Sequence, residues 1–269
     1  HLDVLKAAQQ VYDEKIAIPI LLGRRDVILE LMTEIEFEGE DIIIIDPKSD
    51  EEEKKRNEYA EALWKKRSRK GVTLYDAKKI LRERNYFAAM MVEKGDADAM
   101  LSGYSRAYPS VLKPILELIG KENGVTNVAA TNLMNSKRGP IFISDTSINI
   151  NPDATVLAKI AQMTAKTVKM FGIEPVIAMV SYSNFGSSKN PNAIKVKEAV
   201  DYLHKNFPEI AVDGELQVDF ALNKKMRADK FPFSKLNGKK VNTLIYPNLD
   251  SANGTYKLMK ELNSAGSIG

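Results

Sequence analysis

The residues able to do chemistry in this chain fall in a few short stretches. Ser181-Tyr182-Ser183-Asn184-Phe185-Gly186-Ser187-Ser188 combines hydroxyls with a glycine and leads into a helical pattern. Hydroxyls and free backbone N–H groups at a helix start suit a phosphate or pyrophosphate. An ordinary strand-to-helix turn with serine caps reads the same way. Asp145-Thr146-Ser147 and Ser102-Gly103-Tyr104-Ser105-Arg106 also follow strand-like runs, and ligands of parallel α/β sheets collect at the C-terminal ends of strands. Arg67, Arg69 and Lys70 sit at a helix C-terminus, where cations complement the helix dipole. Arg67 could equally fork onto a phosphate there. Asp213, Glu215 and Asp219 lie near a strand end and offer oxygens for a hard cation, or the acids that a helix N-terminus favours. Lys137-Arg138-Gly139 reads as a surface turn. There is no Walker A sequence and no G-x-G-x-x-G after a strand, so the common nucleotide cradles are not supported.

Composition narrows the chemistry further. The 269 residues include no cysteine and two histidines, His1 and His204. That excludes a thiolate nucleophile, a disulfide framework and a Cys-type zinc site, and argues against a Ser-His-Asp triad. Lys and Arg total 39 against 36 Asp and Glu, with the signs interspersed. No basic face large enough to drive nucleic-acid binding is expected, and no apolar run approaches the ~20 residues of a membrane span. With 44% hydrophobic and 28% charged residues, the expectation is a cytoplasmic α/β protein able to bury a full core.

The elements that must position these groups alternate along the chain. Leu2, Leu5, Ala8 and Tyr12 recur at helical spacing, and Pro19-Ile20-Leu21-Leu22 reads as a strand ended by Gly23. Residues 41–46 read as a central parallel strand buried on both faces. Residues 50–69 read as a charged helix with Tyr59, Leu63 and Trp64 on one stripe, ended by Gly71. Thr73 caps a helix over 74–84, and 85–92 reads as a buried helix. Residues 97–103 read as a strand, and Pro109 opens a helix to about Ile119. The polar stretch 120–124 marks a domain boundary. Beyond it come strands near 128–132 and 140–144, and a helix over 153–171 with Val156, Ile160, Met163, Thr167 and Met170 along one side. Then follow a strand at 176–180, a helix at about 193–206, and strands at 211–213 and 243–246. A helix at 252–262 and a turn-like tail over 263–269 close the chain. The expected organisation is two domains, 1–124 and 125–269, with mainly parallel sheets. The chain starts at His1 and stops in small residues, which fits either trimmed termini or a piece of a longer polypeptide.

Several stretches together resemble the phosphate acetyl/butyryltransferase family, in order and over nearly the whole chain. They are Arg67-Ser68-Arg69-Lys70-Gly71-Val72-Thr73, Ala99-Met100-Leu101-Ser102-Gly103, and Phe171-Gly172-Ile173-Glu174-Pro175 running into the 180–188 segment. Val212-Asp213-Gly214-Glu215-Leu216-Gln217-Val218-Asp219 and Tyr246-Pro247-Asn248-Leu249-Asp250-Ser251-Ala252-Asn253 complete the set. Ser-Asn-Phe-Gly-Ser-Ser and Pro-Asn-Leu-Asp-Ser-Ala-Asn look most like the C-terminal phosphotransacetylase-like domain of bacterial NADP-dependent malic enzymes. The resemblance implies two α/β/α domains similar to isocitrate and isopropylmalate dehydrogenases. It implies an acyl-CoA and phosphate cleft between them, and a homodimer or higher oligomer formed through the second domain.

Active relatives transfer acetyl between CoA and phosphate without a metal, using an aspartate base, a serine and arginines. On this resemblance the first domain lacks its first strand and C-terminal return segment, and a Ser-Arg-…-Asp stretch of that machinery falls past Gly269. Arg67 matches one family phosphate arginine. The other, in a Leu-Arg-Pro motif, is Lys113 in Leu112-Lys113-Pro114, which keeps the charge and loses the fork. The resemblance therefore implies acetyl-CoA and phosphate binding by Arg67, Ser102, Lys113, Asp145, Ser183, Ser187, Ser188 and Asn248, with no catalytic residue and no metal in this chain. The implied role is regulation by acetyl-CoA of an N-terminal malic-enzyme domain, whose NADP and divalent metal bind outside this segment. The alternative is an active phosphate acetyltransferase. No nucleic-acid or membrane partner is implied.

Overall fold

A computed structural model describes residues 1–39, 41–263 and 267–268. The chain divides into two compact units, His1–Asn123 and Gly124–Gly269. It is a mixed α/β fold whose strand pairs are mainly parallel.

The first unit contains helix α1 (Leu2–Asp13), strand β1 (Ile20–Leu22), helix α2 (Arg25–Glu34) and strand β2 (Ile43–Ile45). Helices α3 (Glu53–Arg67), α4 (Leu74–Ile80), α5 (Arg84–Lys94) and α6 (Tyr108–Leu118) follow. β1 and β2 pair in parallel, Ile20 opposite Ile43 and Leu22 opposite Ile45. The charged α3 is held by one narrow stripe: Tyr59, Ala60 and Leu63 pack on Ala77, Leu81, Phe87, Met90 and Leu118. Gly71 adopts the left-handed cap after a short 3-10 turn, and Thr73 forms a reciprocal capping box with Asp76.

The second unit opens with a hairpin of β3 (Thr131–Ser136) and β4 (Gly139–Ser144), turning at Lys137 and Arg138 with Gly139 at φ 96°. Next come α7 (Ala154–Met170), β5 (Val176–Val180), α8 (Pro191–Asn206) and β6 (Ala211–Leu216). The short helices α9 (Val218–Leu222) and α10 (Lys224–Lys230), strand β7 (Thr243–Ile245), helix α11 (Leu249–Asn263) and the two-residue β8 (Ser267–Ile268) complete it. The sheet order is β6-β5-β7-β4-β3-β8. β6, β5, β7 and β4 run parallel, while β3 is antiparallel to both of its neighbours. One face is covered by α7 and α8, through Leu157, Ile160, Ala161, Val196 and Leu203 on Ile177, Met179 and Val212. The other is covered by Ala221, Leu236 and Ala252 on Ile143, Val180, Leu216 and Leu244. Covering both faces explains why the central β5 and β7 are almost continuously apolar.

Several expectations from sequence are corrected. Residues 97–103 form no strand: this stretch finds no ladder partner, and Leu101 lies fully in solvent. The 41–46 run is a strand only at Ile43–Ile45, and it is not doubly buried, since β1 is its sole neighbour among the described residues and Ile43 is 49% exposed. The helix expected over 74–84 stops at Ile80, and a new one begins at Arg84 under a Glu83 cap. Trp64 lies off the α3 stripe and is exposed. In α7 only Ile160 of the five expected residues is fully buried. The inward stripe runs through Leu157, Ile160, Ala161, Thr164 and Val168, and Met170 is 85% exposed. The strand near 128–132 begins at Thr131, that at 211–213 extends to Leu216, and the last helix starts at Leu249. The tail does not end as a free turn: Ser267 and Ile268 pair with β3, while residues 264–266 and 269 lie outside the described residues.

Candidate functional site

In the second unit β4, β7, β5 and β6 all deliver their C-terminal ends to one edge of the sheet. The Asp145 loop, Asn248, the 181–188 loop and Glu215 stand there in strand order. The 181–188 loop is wired through the buried Glu215. Glu215 Oε1 accepts from Ser183 Oγ at 3.0 Å and from the Gly186 N–H at 2.6 Å. Ser183 Oγ also meets Ser187 Oγ at 2.9 Å and accepts the Ser188 N–H at 3.0 Å. Ser188 Oγ lies 3.0 Å from the Tyr182 hydroxyl. Ser183 is buried, Ser188 half-buried and Ser187 exposed, so the loop turns part of its hydroxyl cluster to solvent. Glu215 reaches it because β6 bulges against β5 at Gly214. At φ 149° a side chain there would lie 2.6 Å from the Met179 carbonyl oxygen, so only glycine fits.

Asp145 is buried and fully engaged. Oδ1 accepts the N–H groups of Ala130, Ser147 and Ile148 at 3.0–3.1 Å, and Oδ2 accepts that of Asn149 at 2.8 Å and its side-chain amide. It fixes the loop, with no lone pair aimed at a ligand. Asn248 caps α11, accepting the Ser251 N–H at 3.0 Å. Leu249 N–H to Ile150 O at 3.0 Å and Asn253 to Thr146 O at 3.0 Å tie that helix start to the Asp145 loop. Lys195 of α8 donates to Asn151 Oδ1 at 2.6 Å and to the Pro152 carbonyl at 3.2 Å. Burial pulls its amine below the ordinary lysine pKa, partly offset by Asp153.

The candidate residues of the first unit are arranged differently. Arg67, the last residue of α3, donates to Glu117 Oε1 at 2.8 Å, and the Tyr86 hydroxyl donates to the other oxygen of Glu117 at 2.7 Å. Burial, then this hydrogen bond, hold the Tyr86 hydroxyl well above its ordinary pKa, which keeps it a donor. Ser102 follows no strand; its hydroxyl donates to Asn85 at 2.9 Å. Lys113 is exposed on α6.

The carboxylates at 213–219 do not gather. Asp213 and Glu215 lie within β6 rather than at a helix N-terminus. Asp213 accepts from Ser234 and the Lys235 N–H at 2.9 and 2.8 Å, whereas Asp219 sits in α9. Among the described residues no group of three or more His, Cys, Asp or Glu side chains is placed to hold a metal ion. His204 hooks the Val212 carbonyl at 2.8 Å. No helix among the described residues is long and apolar enough to cross a membrane. An open cleft of about 620 Å³, lined by Lys137, Arg138, Ile141, Asp219, Leu222 and Met259 among others, contains none of the residues expected to bind acetyl-CoA or phosphate. Sequence reasoning did not assign the Glu215 keystone, the Glu117 partner of Arg67, or Lys195. Gly214 beside Glu215 was the one usable signal, since a glycine inside a strand marks a bulge.

Comparison with known proteins adds an independent line. The family described as phosphate acetyl/butaryl transferase matches residues 2–269. The NADP-dependent malic enzyme of Escherichia coli (strain K12) is 36% identical over 267 residues, 98% of this chain and 35% of its own length. The phosphate acetyltransferase of Thermoanaerobacterium thermosaccharolyticum is 35% identical over 272 residues, 98% of this chain and 81% of its own. Among solved structures, a phosphotransacetylase from Streptococcus pyogenes matches with a TM-score of 0.86 at 36% identity, over 100% of this chain and 81% of that one. The chain thus spans about a third of the malic enzyme and about four-fifths of the transferases.

Proposed function

Since this chain belongs to the phosphate acetyl/butaryl transferase family, we propose that it is an acetyl-CoA-binding domain that regulates a malic enzyme, not a working phosphotransacetylase. The observation that carries this reading is the Arg67–Glu117 ion pair. A phosphate clamp needs a guanidinium with its donors turned to the anion. Arg67 already gives its charge to a carboxylate, and Lys113 offers charge without a fork. Binding asks for less. The 181–188 loop supplies a cluster of hydroxyls ahead of the 16-residue helix α8, with Ser187 turned to solvent, and the positive end of that helix suits the phosphates of CoA. Transfer requires an acyl phosphate held in line with a thiolate, and loose positioning costs orders of magnitude in rate.

The rest of the parent chain would carry the oxidative decarboxylation of malate to pyruvate, with NADP and a divalent metal, in the cytoplasm. The exposed Met170 and Phe171 at the end of α7 support a homodimer through the second unit. Light scattering at micromolar concentration should give the dimer mass. A second reading, an active phosphate acetyltransferase, is favoured by matches that span about four-fifths of such enzymes.

Acetyl-CoA at roughly 100 times Kd should stabilise the chain by about 2.7 kcal/mol, and should change the rate of malate oxidation by the full-length protein. Acetyl phosphate with CoA should give no acetyl-CoA above background. Turnover at roughly 1–1000 per second would install the second reading instead.

A further inference from the structure

Residues 224–240 hold seven Lys and Arg against one acid, Asp229. Arg227 is buried and donates to the carbonyls of Phe220, Ala221, Leu236 and Lys239, which folds the segment into a fixed shape. The other six cations are exposed lysines, and none forms an ion pair among the described residues. Within the segment stand Phe231 and Phe233, whose rings meet Phe185 edge-on with centroids 5.0 and 4.9 Å away. Phe220 braces Phe231 at 5.1 Å. Phe233 is 66% exposed, an aromatic ring largely in water beside unpaired positive charge.

Phe185 brings this cluster to the 181–188 loop. Its φ is 46°, in the left-handed region that bulky residues avoid. The surroundings hold it there. Its N–H donates to Glu215 O at 2.9 Å, while Asn184 exchanges two hydrogen bonds with Gln217. The strained residue thus presents its ring to Phe233 from a position between Ser183 and Ser187. Strain kept in place by its surroundings is a sign of use.

We propose that Phe233, backed by Phe185 and Phe231, is the stacking platform for the purine ring of an adenine nucleotide, with Lys230 and Lys235 meeting its phosphate. This rests on the acetyl-CoA reading and assigns the nucleotide end of that ligand. A purine has a π-face that stacks on an aromatic ring. The nucleotide end of CoA carries a 3′-phosphate and a 5′-diphosphate, and a lysine-rich segment favours that negative charge. The diphosphate lies toward the 181–188 loop, whose Phe185 touches the platform.

The test is calorimetric titration of this chain with adenosine 3′,5′-bisphosphate as the probe. Phe233→Ala should raise Kd about tenfold, and Phe233→Trp should restore it. Because Phe233 is exposed, unchanged melting of both variants will certify the fold. Lys230→Gln combined with Lys235→Gln should weaken binding and flatten its salt dependence. Acetyl-CoA should lose the same factor in Phe233→Ala, whereas S-acetyl-4′-phosphopantetheine, which has no nucleotide, should lose none. Acetyl-CoA binding that survives Phe233→Ala unchanged overturns the platform and leaves the acetyl-CoA reading intact. A nucleotide that binds through Phe233 in a chain that ignores acetyl-CoA supports the platform and sinks that reading. A short single-stranded RNA that binds more tightly than the nucleotide, through the same ring, makes nucleic acid the occupant and overturns the proposal.

Discussion

Arg67 in the first unit and the 181–188 loop in the second are both candidate anion sites, and each is anchored on a carboxylate in a different way. The Arg67 guanidinium meets Glu117 through one terminal nitrogen, while its Nε is buried without a partner among the described residues, and Glu117 also takes the Tyr86 hydroxyl. The 181–188 loop hangs its hydroxyls on Glu215 Oε1 and still leaves Ser187 in solvent. Its other carboxylate oxygen, Glu215 Oε2, is buried without a partner among the described residues. Charge alone therefore does not identify an anion site.

Breaking the contrast should have effects of very different size. The Asp145 loop sets the upper end, because it is a site fully consumed by structure. Asp145→Ala orphans the N–H groups of Ala130, Ser147, Ile148 and Asn149. It should cost about 3–5 kcal/mol in urea unfolding; a loss under 1 kcal/mol would mean the loop is held otherwise. Glu117→Ala should cost about 1–2 kcal/mol. It should also give the chain a phosphate affinity that disappears in the double variant with Arg67→Gln. If phosphate affinity stays the same, Arg67 is no latent clamp. Glu215→Gln keeps an acceptor for Ser183 and Gly186 while removing the charge under the loop. Phosphate affinity should rise about threefold at low salt, with the gain screened away at high salt.

The smallest effect is in the first unit. The Lys55 amine, then the Tyr59 hydroxyl, hold the Asp96 carboxyl below its ordinary range, while the hydrogen bond to Asp96 raises Lys55. The Asp96 contribution is complete above the unfolded carboxyl pKa and lost as pH falls through the lowered one. The Lys55 contribution is complete below its unfolded pKa and lost as pH rises through the raised one. Asp96→Asn should thus narrow the stability difference between neutral and acidic pH, by little, since the pair is more than a third exposed.

What the sequence revealed follows the range of the interactions. β5 is legible because Val176–Val180 is an apolar run between a Pro and a polar loop, and α7 because Asp153 caps a long periodic stretch. The inward face of α7 was misjudged because Met and Val are as apolar outside as Ala and Thr are acceptable inside. α9 and α10 escaped because they are only five and seven residues long, and the anchor of their segment is Arg227, a buried residue of a type that is usually solvated. The serine loop could be found from local composition. Its connections to Glu215 and Phe233 could not, for these join residues some 30–50 positions apart, as does the pairing of Arg67 with Glu117. Local patterns place elements, and long-range pairing decides which polar groups remain free.

The account stands or falls on binding without transfer. The direct measurement is to titrate acetyl-CoA into the chain by calorimetry and, on the same sample, follow acetyl-CoA formation from acetyl phosphate and CoA. A saturable binding isotherm with no transfer above background is the predicted result. Transfer at enzyme rates, or no binding at all, would contradict it.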